Sequence, residues 1–305
     1  MERLEQLAYR LRRELPGLEL REHEPMKSHT TFRIGGPARL MALPKTTEET
    51  EGAVRLAAEE GVVPFFLGNG SNLLVADGGY EGFVLKLTGL DQVRRDGGRL
   101  TAGAGIPLAR LAAAALEGEL TGLEFAHGIP GSLGGAVVMN AGAYGGEMSQ
   151  VLTSVTYLDE KGTPVTLPAG ACGLSYRHSI FSSHSTWLVV EAELALTPGS
   201  AEQIRGRMEE LARKRREKQP LEWPSAGSTF KRPEGYFAAA LIEGCGLKGV
   251  GVGGAQVSEK HAGFVINRGG ATADDVRRLM ALVQETVLRE TGVELEPEVR
   301  LLGFE

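Results

Sequence analysis

The stretch His127–Glu147 reads HGIPGSLGGAVVMNAGAYGGE, and almost no side-chain bulk stands over Gly131, Ser132, Gly134, Gly135 and Ala136. Such a run is either a tightly packed turn or a place where bare backbone lies against a large flat ligand. A turn alone rarely needs so many small residues in succession, which favours the ligand. A second turn, Gly68-Asn69-Gly70-Ser71-Asn72-Leu73, follows a short strand expected at Val62–Leu67. It opens like a dinucleotide fingerprint but lacks the third glycine, and no helix pattern follows it. Consecutive backbone N–H groups in such a turn can still form a concave nest for an anion. Two backbone cradles in one region suit an extended ligand with a diphosphate in its middle. FAD fits that description.

Working outward, glycine fills 42 of 305 positions, well above the usual share of about 7%. The glycines have no period of three, which excludes collagen. A 42% hydrophobic content and a net charge of −6 exclude intrinsic disorder. With a pI near 5.7 and no basic domain, nucleic acid is not an expected partner. Cys172 and Cys245 form no CxxC pair, so a disulfide framework or cysteine zinc site is not expected; both read as small buried residues. No apolar run approaches the roughly 20 residues needed to span a bilayer. The opening MERLEQLAYRLRRELPG places Leu4, Leu7, Ala8 and Leu11 on one helical face and is not a signal peptide. A cytoplasmic protein without membrane attachment, a monomer or weak dimer, is the expectation.

Along the chain, a strand is expected at Ala38–Leu43 and a helix capped by Thr46 or Thr47 that runs to about Glu60. An alanine-rich helix follows at Pro107–Glu117, then a hairpin at Val151–Leu167 and a strand at Trp187–Leu196. The character changes at Pro198-Gly199-Ser200. Ala201–Lys218 reads as a basic helix, either a solvated face or one whose end helps hold an anion. A small helix near Tyr236–Ile242, a glycine-rich run at Gly244–Gly254 without evident purpose, and a helix at Thr272–Thr291 come next. The outline is α+β: a region 1–199 in two subdomains, about 1–80 and 81–199, joined by a C-terminal strand in 297–305, and a smaller domain at 200–296.

No P-loop, GxSxG or HExxH motif occurs. The set FRIGGPA, GNGSNLLV, GIPGSLGGAVVMNAGAYGGE, SYRHSIF, PSAGSTFKRP, GGAQVSEKHAGFVIN and LEPEVR resembles the UDP-N-acetylenolpyruvoylglucosamine reductase family. The resemblance runs from about residue 28 to 303 in the family's order. It implies a vanillyl-alcohol-oxidase-type FAD-binding domain (the PCMH type) joined to a smaller α+β substrate-binding domain. FAD would be tightly bound and NADPH would be the hydride-donating co-substrate. The substrate would be UDP-N-acetylglucosamine enolpyruvate, reduced to UDP-N-acetylmuramate for bacterial peptidoglycan.

Residue by residue, the resemblance implies flavin contacts at Arg33, Gly35 and Gly36, then at Gly68, Asn69, Gly70, Ser71, Asn72 and Leu73. The long segment would add Gly128, Ile129, Pro130, Gly131, Ser132, Gly134, Gly135 and Ala136, with Val138, Asn140, Ala141 and Gly142 beyond them. Arg177, Ser228 and Glu298 match catalytic positions, with Ser228 the proton donor. Arg177 and Glu298 would polarise the substrate carboxylate; arginine's planar fork suits that task. Lys218 and Arg232 resemble substrate-binding positions, and Glu259, Lys260 and His261 border the substrate. Only His178–Thr186 separate Arg177 from the next strand, and no tyrosine lies there. The chain therefore looks like the family's shorter class, without the tyrosine-bearing lid. Tyr176 is expected to pack rather than react. His29, His127 and His178 lack ligand company, so no metal is assigned, and His127 is expected to make a structural hydrogen bond. Two other readings fit the residues less completely. One is an oxidase on the same flavin scaffold, needing neither Ser228 nor NADPH. The other is a UDP-sugar-binding protein without chemistry.

Overall fold

A computed structural model describes residues 2–304. Packing divides the chain into two compact units, each assembled from separated stretches. The first comprises residues through Glu22, Leu40–Asn69 and Gly82–Arg213. The second comprises His23–Arg39, Gly70–Glu81 and everything from Lys214 onward. This packing division differs in its boundaries from the division by role near residue 200.

In the first unit, helix α1 (Arg3–Glu14) buries Leu4, Leu7, Ala8 and Leu11, the face its periodicity marks. Helix α2 (Thr47–Glu59) starts where the Thr46 hydroxyl accepts a hydrogen bond from Glu49 N. Arg10 of α1 reaches Glu59 at 2.6 Å and Glu60 at 2.8 Å, tying the end of α2 to α1. Both helices pack on a sheet ordered Glu19–Pro25, Pro37–Leu43, Tyr80–Lys86, Phe65–Leu67, most of which belongs to this unit. Its last strand is shorter than expected, and pairs in parallel with Val84–Lys86.

The rest of the first unit is built on a five-stranded antiparallel sheet. Its order is Pro164–Pro168, Leu152–Leu158, Leu188–Ala195, Arg99–Gly103, Val93–Asp96. The turn of its hairpin is held by Asp159, whose carboxylate accepts from Lys161 N and Thr163 N. Helix α3 (Leu108–Glu117) contributes Leu108, Leu111, Ala112 and Ala115 to the core. Helix α4 (Leu133–Val138), invisible in a glycine-rich sequence, adds Leu133, Ala136 and Val137. Helix α5 (Ile180–Ser183) and helix α6 (Ala201–Lys218) complete the unit's helices, although α6 ends beyond the packing boundary at Arg213.

The second unit centres on helix α8 (Ala273–Thr291), whose Val276, Leu279, Met280, Val283 and Val287 are buried. Helix α7 (Ala238–Gly244) and an antiparallel set of three strands, Gly251–Val252, Ala255–Val257 and Val265–Asn267, share that core. The strand Arg300–Leu302 pairs in parallel with Leu73–Val75. Asp77, two residues past Val75, accepts from Ala273 N at 2.8 Å and Asp274 N at 3.1 Å, covering the start of α8. Cys172 is buried as expected, while Cys245 is only half-buried. Among the described residues, no helix is long and apolar enough to cross a membrane.

Candidate active site

In the first unit the two glycine-rich segments meet. Phe65–Leu67 ends at Gly68, and a Cβ there would collide with Ser132 Oγ. The Asn69 side-chain amide donates to Pro130 O at 3.5 Å. The segment from Gly131 is sewn into the unit by backbone: Leu108 N donates to Gly131 O, Leu133 N to Ile106 O, and Gly134 N to Ala104 O. A Cβ on Gly134 would lie 2.8 Å from that of Ala104, so its smallness serves helix packing. Gly135 behaves differently. It is exposed, and a Cβ there would find nothing nearer than Ser132 Oγ at 3.7 Å. Ser132, Gly134 and Ala136 are thus buried by the protein. Gly128, Ile129, Gly131, Val138, Ala141 and Gly142 stay half-exposed, and Pro130 is open. Just before them, the buried Nδ1 of His127 has no hydrogen-bond partner among the described residues, contrary to the structural hydrogen bond expected of this side chain.

The end of the same segment holds the Arg177 turn in place. Ser175 and His178 exchange two backbone hydrogen bonds at 3.1 Å, which closes a two-residue turn over Tyr176 and Arg177. Arg177 sits at φ 54°, a left-handed conformation that side chains other than glycine, Asn and Asp seldom adopt. Its guanidinium carbon lies 5.3 Å from the centre of the Tyr176 ring. Tyr176 is 54% exposed, so it does not pack as expected. Buried Asn140 donates to Ser175 O at 3.2 Å, and buried Ser179 donates to Val138 O at 2.7 Å.

In the second unit, Arg33 is exposed at φ 56°. Gly35 and Gly36 are drawn tight against Val75 and Asp77, with Gly36 N donating to Ala76 O. Gly70 O accepts from Thr31 N, which joins the two sequence-predicted flavin segments of this unit. Ser71 and Asn72 are half-buried, while Leu73 is buried in the strand beside Arg300. Asn72 reaches further: its side-chain amide donates to Glu298 O at 3.0 Å.

Ser228 and Glu298, distant in sequence, come together here. Glu298 N donates to Thr229 O, Lys231 N donates to Glu296 O, and Phe230 bridges Pro297. Thr229 is buried; its N donates to Gly263 O, and its hydroxyl accepts from Val265 N. Ser228 is half-buried, between that clamped residue and the flexible Gly227 at φ 77°.

The candidate substrate-binding residues come from separate segments of the second unit. Lys260 Nζ donates to Arg216 O at 2.6 Å and lies 3.8 Å from Glu222, so it serves the end of α6. Glu259 is exposed and passes beside Gly249. Arg232 lies 3.9 Å above the exposed Phe237 ring. His261 is held in a turn by Ser258, and its Nδ1 accepts from Gly263 N. Burial pushes its imidazole pKa down, and the positive charges of Lys248 and Lys218 add to this. Lys248 itself is paired with Glu243 at 2.6 Å, whose charge acts on His261 in the opposite sense. Sequence reasoning passed over Lys248, which lies in the glycine-rich run with no motif of its own.

A model described as the C-terminal domain of UDP-N-acetylenolpyruvoylglucosamine reductase matches residues 219–302, and one described as an FAD binding domain matches 38–168. The UDP-N-acetylenolpyruvoylglucosamine reductase of Clostridium novyi is 50% identical over 287 residues, covering 94% of this chain and 93% of that one. The chain belongs to the UDP-N-acetylenolpyruvoylglucosamine reductase family. The family protein of Caldanaerobacter subterraneus subsp. tengcongensis is likewise 50% identical, over 92% of this chain and 93% of its own length. A crystal structure of the Thermus caldophilus reductase superposes with a TM-score of 0.80 at 37% identity, over 93% of this chain and 98% of that one. These matches make the fold α+β with an FAD-binding domain, as expected. The FAD model spans Gly68–Leu73 and Gly128–Gly142, and the reductase C-terminal model spans Ser228, Arg232, Glu259–His261 and Glu298. The first unit fits such a cofactor on its own chemistry. Gly68 and Asn69 abut Pro130–Ser132, backbone stays accessible at Gly135, and a buried imidazole nitrogen remains unsatisfied.

Proposed function

We propose that this chain reduces the enolpyruvyl ether of UDP-N-acetylglucosamine enolpyruvate to the lactyl ether of UDP-N-acetylmuramate, in bacterial peptidoglycan precursor synthesis. The observation that carries the reading is the joining of Ser228 to Glu298 through Thr229, inside the part of the chain that matches the family's C-terminal domain. FAD, when bound, would supply the hydride chemistry that links oxidation of NADPH to reduction of the substrate's enolpyruvyl group. Gly68–Leu73, the accessible part of Gly128–Gly142, and Arg33 with Gly35 and Gly36 are the residues to hold it.

The chain's own residues supply binding and protons. Arg177 pairs its planar fork with the substrate carboxylate. As hydride arrives, negative charge builds at the carbon bearing that carboxylate. The Ser228 hydroxyl delivers the proton there. A hydroxyl is a weak acid, so its value lies in position, and the buried, doubly bonded Thr229 provides that. Glu298 helps an enolate-like charge only as a protonated acid or through a proton-bearing neighbour. Lys218 and Arg232 answer the diphosphate of the UDP sugar. By role, residues 1–199 with 297–305 serve the flavin and 200–296 the substrate. NADPH and a nucleotide sugar as reactants place the reaction in the cytoplasm.

Stopped-flow measurement of the two half-reactions tests this reading. Ser228→Ala should leave flavin reduction by NADPH near its normal rate and slow reoxidation by substrate by roughly 10²–10⁴. Equal slowing of both halves would remove Ser228 from the proton-donor role.

A further inference from the structure

Asn140 sits at the end of α4 in a left-handed conformation, φ 40°, and is 2% exposed. Asn140 N donates to Val137 O and Ala141 N donates to Ala136 O, a helix termination that favours glycine first and Asn second. A backbone requirement alone would be met better by glycine. The side chain has other work. Its Oδ1 accepts from Ser149 N at 2.9 Å and its Nδ2 donates to Ser175 O at 3.2 Å. These partners fix the orientation of the carboxamide, because an N–H only donates and a carbonyl only accepts.

Ser175 O is the closing carbonyl of the turn that carries Arg177, and it already accepts from His178 N. Beyond the turn, Ser179 is fully buried, and its hydroxyl donates to Val138 O at the end of the same α4. Both flanks of Tyr176-Arg177 are therefore pinned to one helix end by side chains. The arginine between them holds an unfavourable backbone angle, which persists only where the surroundings over-determine it.

We infer that Asn140 is a positioning residue for Arg177, with Ser179 as its second anchor. The Asn140 carboxamide locks the Ser175–His178 turn to the C-terminal end of α4 and so sets the guanidinium relative to the flavin-binding segment. This rests on the reading of Arg177 as a group that binds the substrate carboxylate. It gives Asn140, expected from the sequence as a flavin contact, a task toward the substrate side of the reaction.

Asn140→Gly tests it, because glycine satisfies the helix end while removing both side-chain bonds. The variant, purified with its FAD, should retain flavin and its rate of reduction by NADPH. Reoxidation by the enolpyruvyl substrate should slow on the order of 10²-fold, the scale of a small misplacement of a catalytic group. Asn140→Asp, which keeps an acceptor for Ser149 N but loses the donor to Ser175 O, should show the same split if the glycine variant folds poorly. In an Arg177→Ala background, either change should add nothing further, since the two act in series. Unchanged reoxidation, equal slowing of both halves, loss of flavin, or an undiminished effect beside Arg177→Ala would each overturn the assignment. If Arg177→Ala alone leaves reoxidation intact, the reading of Arg177 falls instead.

Discussion

Two stretches of the chain are rich in glycine, and they use it differently. Gly244 and Gly246 lie exposed with open space around them, whereas the far end of Gly244–Gly254 is drawn onto the start of α8, where Gly254 N donates to Asp275 at 3.1 Å. A Cβ on Gly253 would occupy the space of the Asp275 carboxylate, and one on Gly254 would come within 2.5 Å of Ala271 N. In Gly128–Gly142, by contrast, only part of the smallness is spent on packing, as at Gly134, and Gly135 remains open. A run of glycines marks a close approach without saying what approaches. What an added Cβ would meet separates Gly253 and Gly254 from Gly135, and it gives the end of Gly244–Gly254 a purpose that its sequence alone does not reveal.

The largest test of this contrast is Gly253→Ala. At φ 53° an L side chain costs roughly 1–2 kcal/mol. Displacing the Asp275 carboxylate weakens a helix cap worth about another 0.5–2 kcal/mol. The variant should unfold several degrees lower, with its FAD affinity per folded molecule unchanged. Thermal unfolding beside a flavin titration reads both. Lost flavin affinity with normal stability would reverse the roles of the two stretches.

Gly135→Ala should do the opposite on a smaller scale. The position is helical and has room for a methyl group. Replacing a helix-interior glycine should therefore stabilise the apoprotein by about 0.5–1 kcal/mol. The same methyl stands on accessible backbone of the candidate flavin segment, so the dissociation constant for FAD should rise. Reconstitution of apoprotein followed by flavin fluorescence decides it, and an unchanged constant would take Gly135 out of the contact.

The limits of the sequence follow from the same geometry. Helices α1, α2, α6 and α8 were legible because their information is local: Leu4, Leu7, Ala8 and Leu11 repeat on one face, and Thr46 and Thr272 cap within three residues. Helix α4 was not, because Gly134 and Gly135 have poor intrinsic propensity and its formation depends on Ala104 and Ile106. The candidate catalytic positions came from motif resemblance, but the contacts around them are long-range. Nothing near Asn140 announces Ser175, nothing near Ser228 announces Glu298, and the engagement of Lys260 with Arg216 O has no local signature.

The finest test turns on pH. The Asp275 carboxylate accepts from Thr272 N, from Gly254 N and from Arg278, and these bonds hold its pKa below the ordinary carboxylate value. A carboxyl group whose pKa is depressed on folding stabilises the fold while ionised. That contribution is fully present above the unfolded value of about 3.9 and is lost as pH falls through the folded value. Asp275→Asn keeps the shape and removes the charge at the start of α8, where a negative charge is worth about 0.3–1 kcal/mol. At pH 7 the variant should be less stable by about that amount, and the gap should close as pH falls below about 4. Denaturant midpoints of both proteins across this range measure the gap. If it persists at low pH, the effect lies in the shape of the cap and not its charge, and the glycine turn serves packing alone.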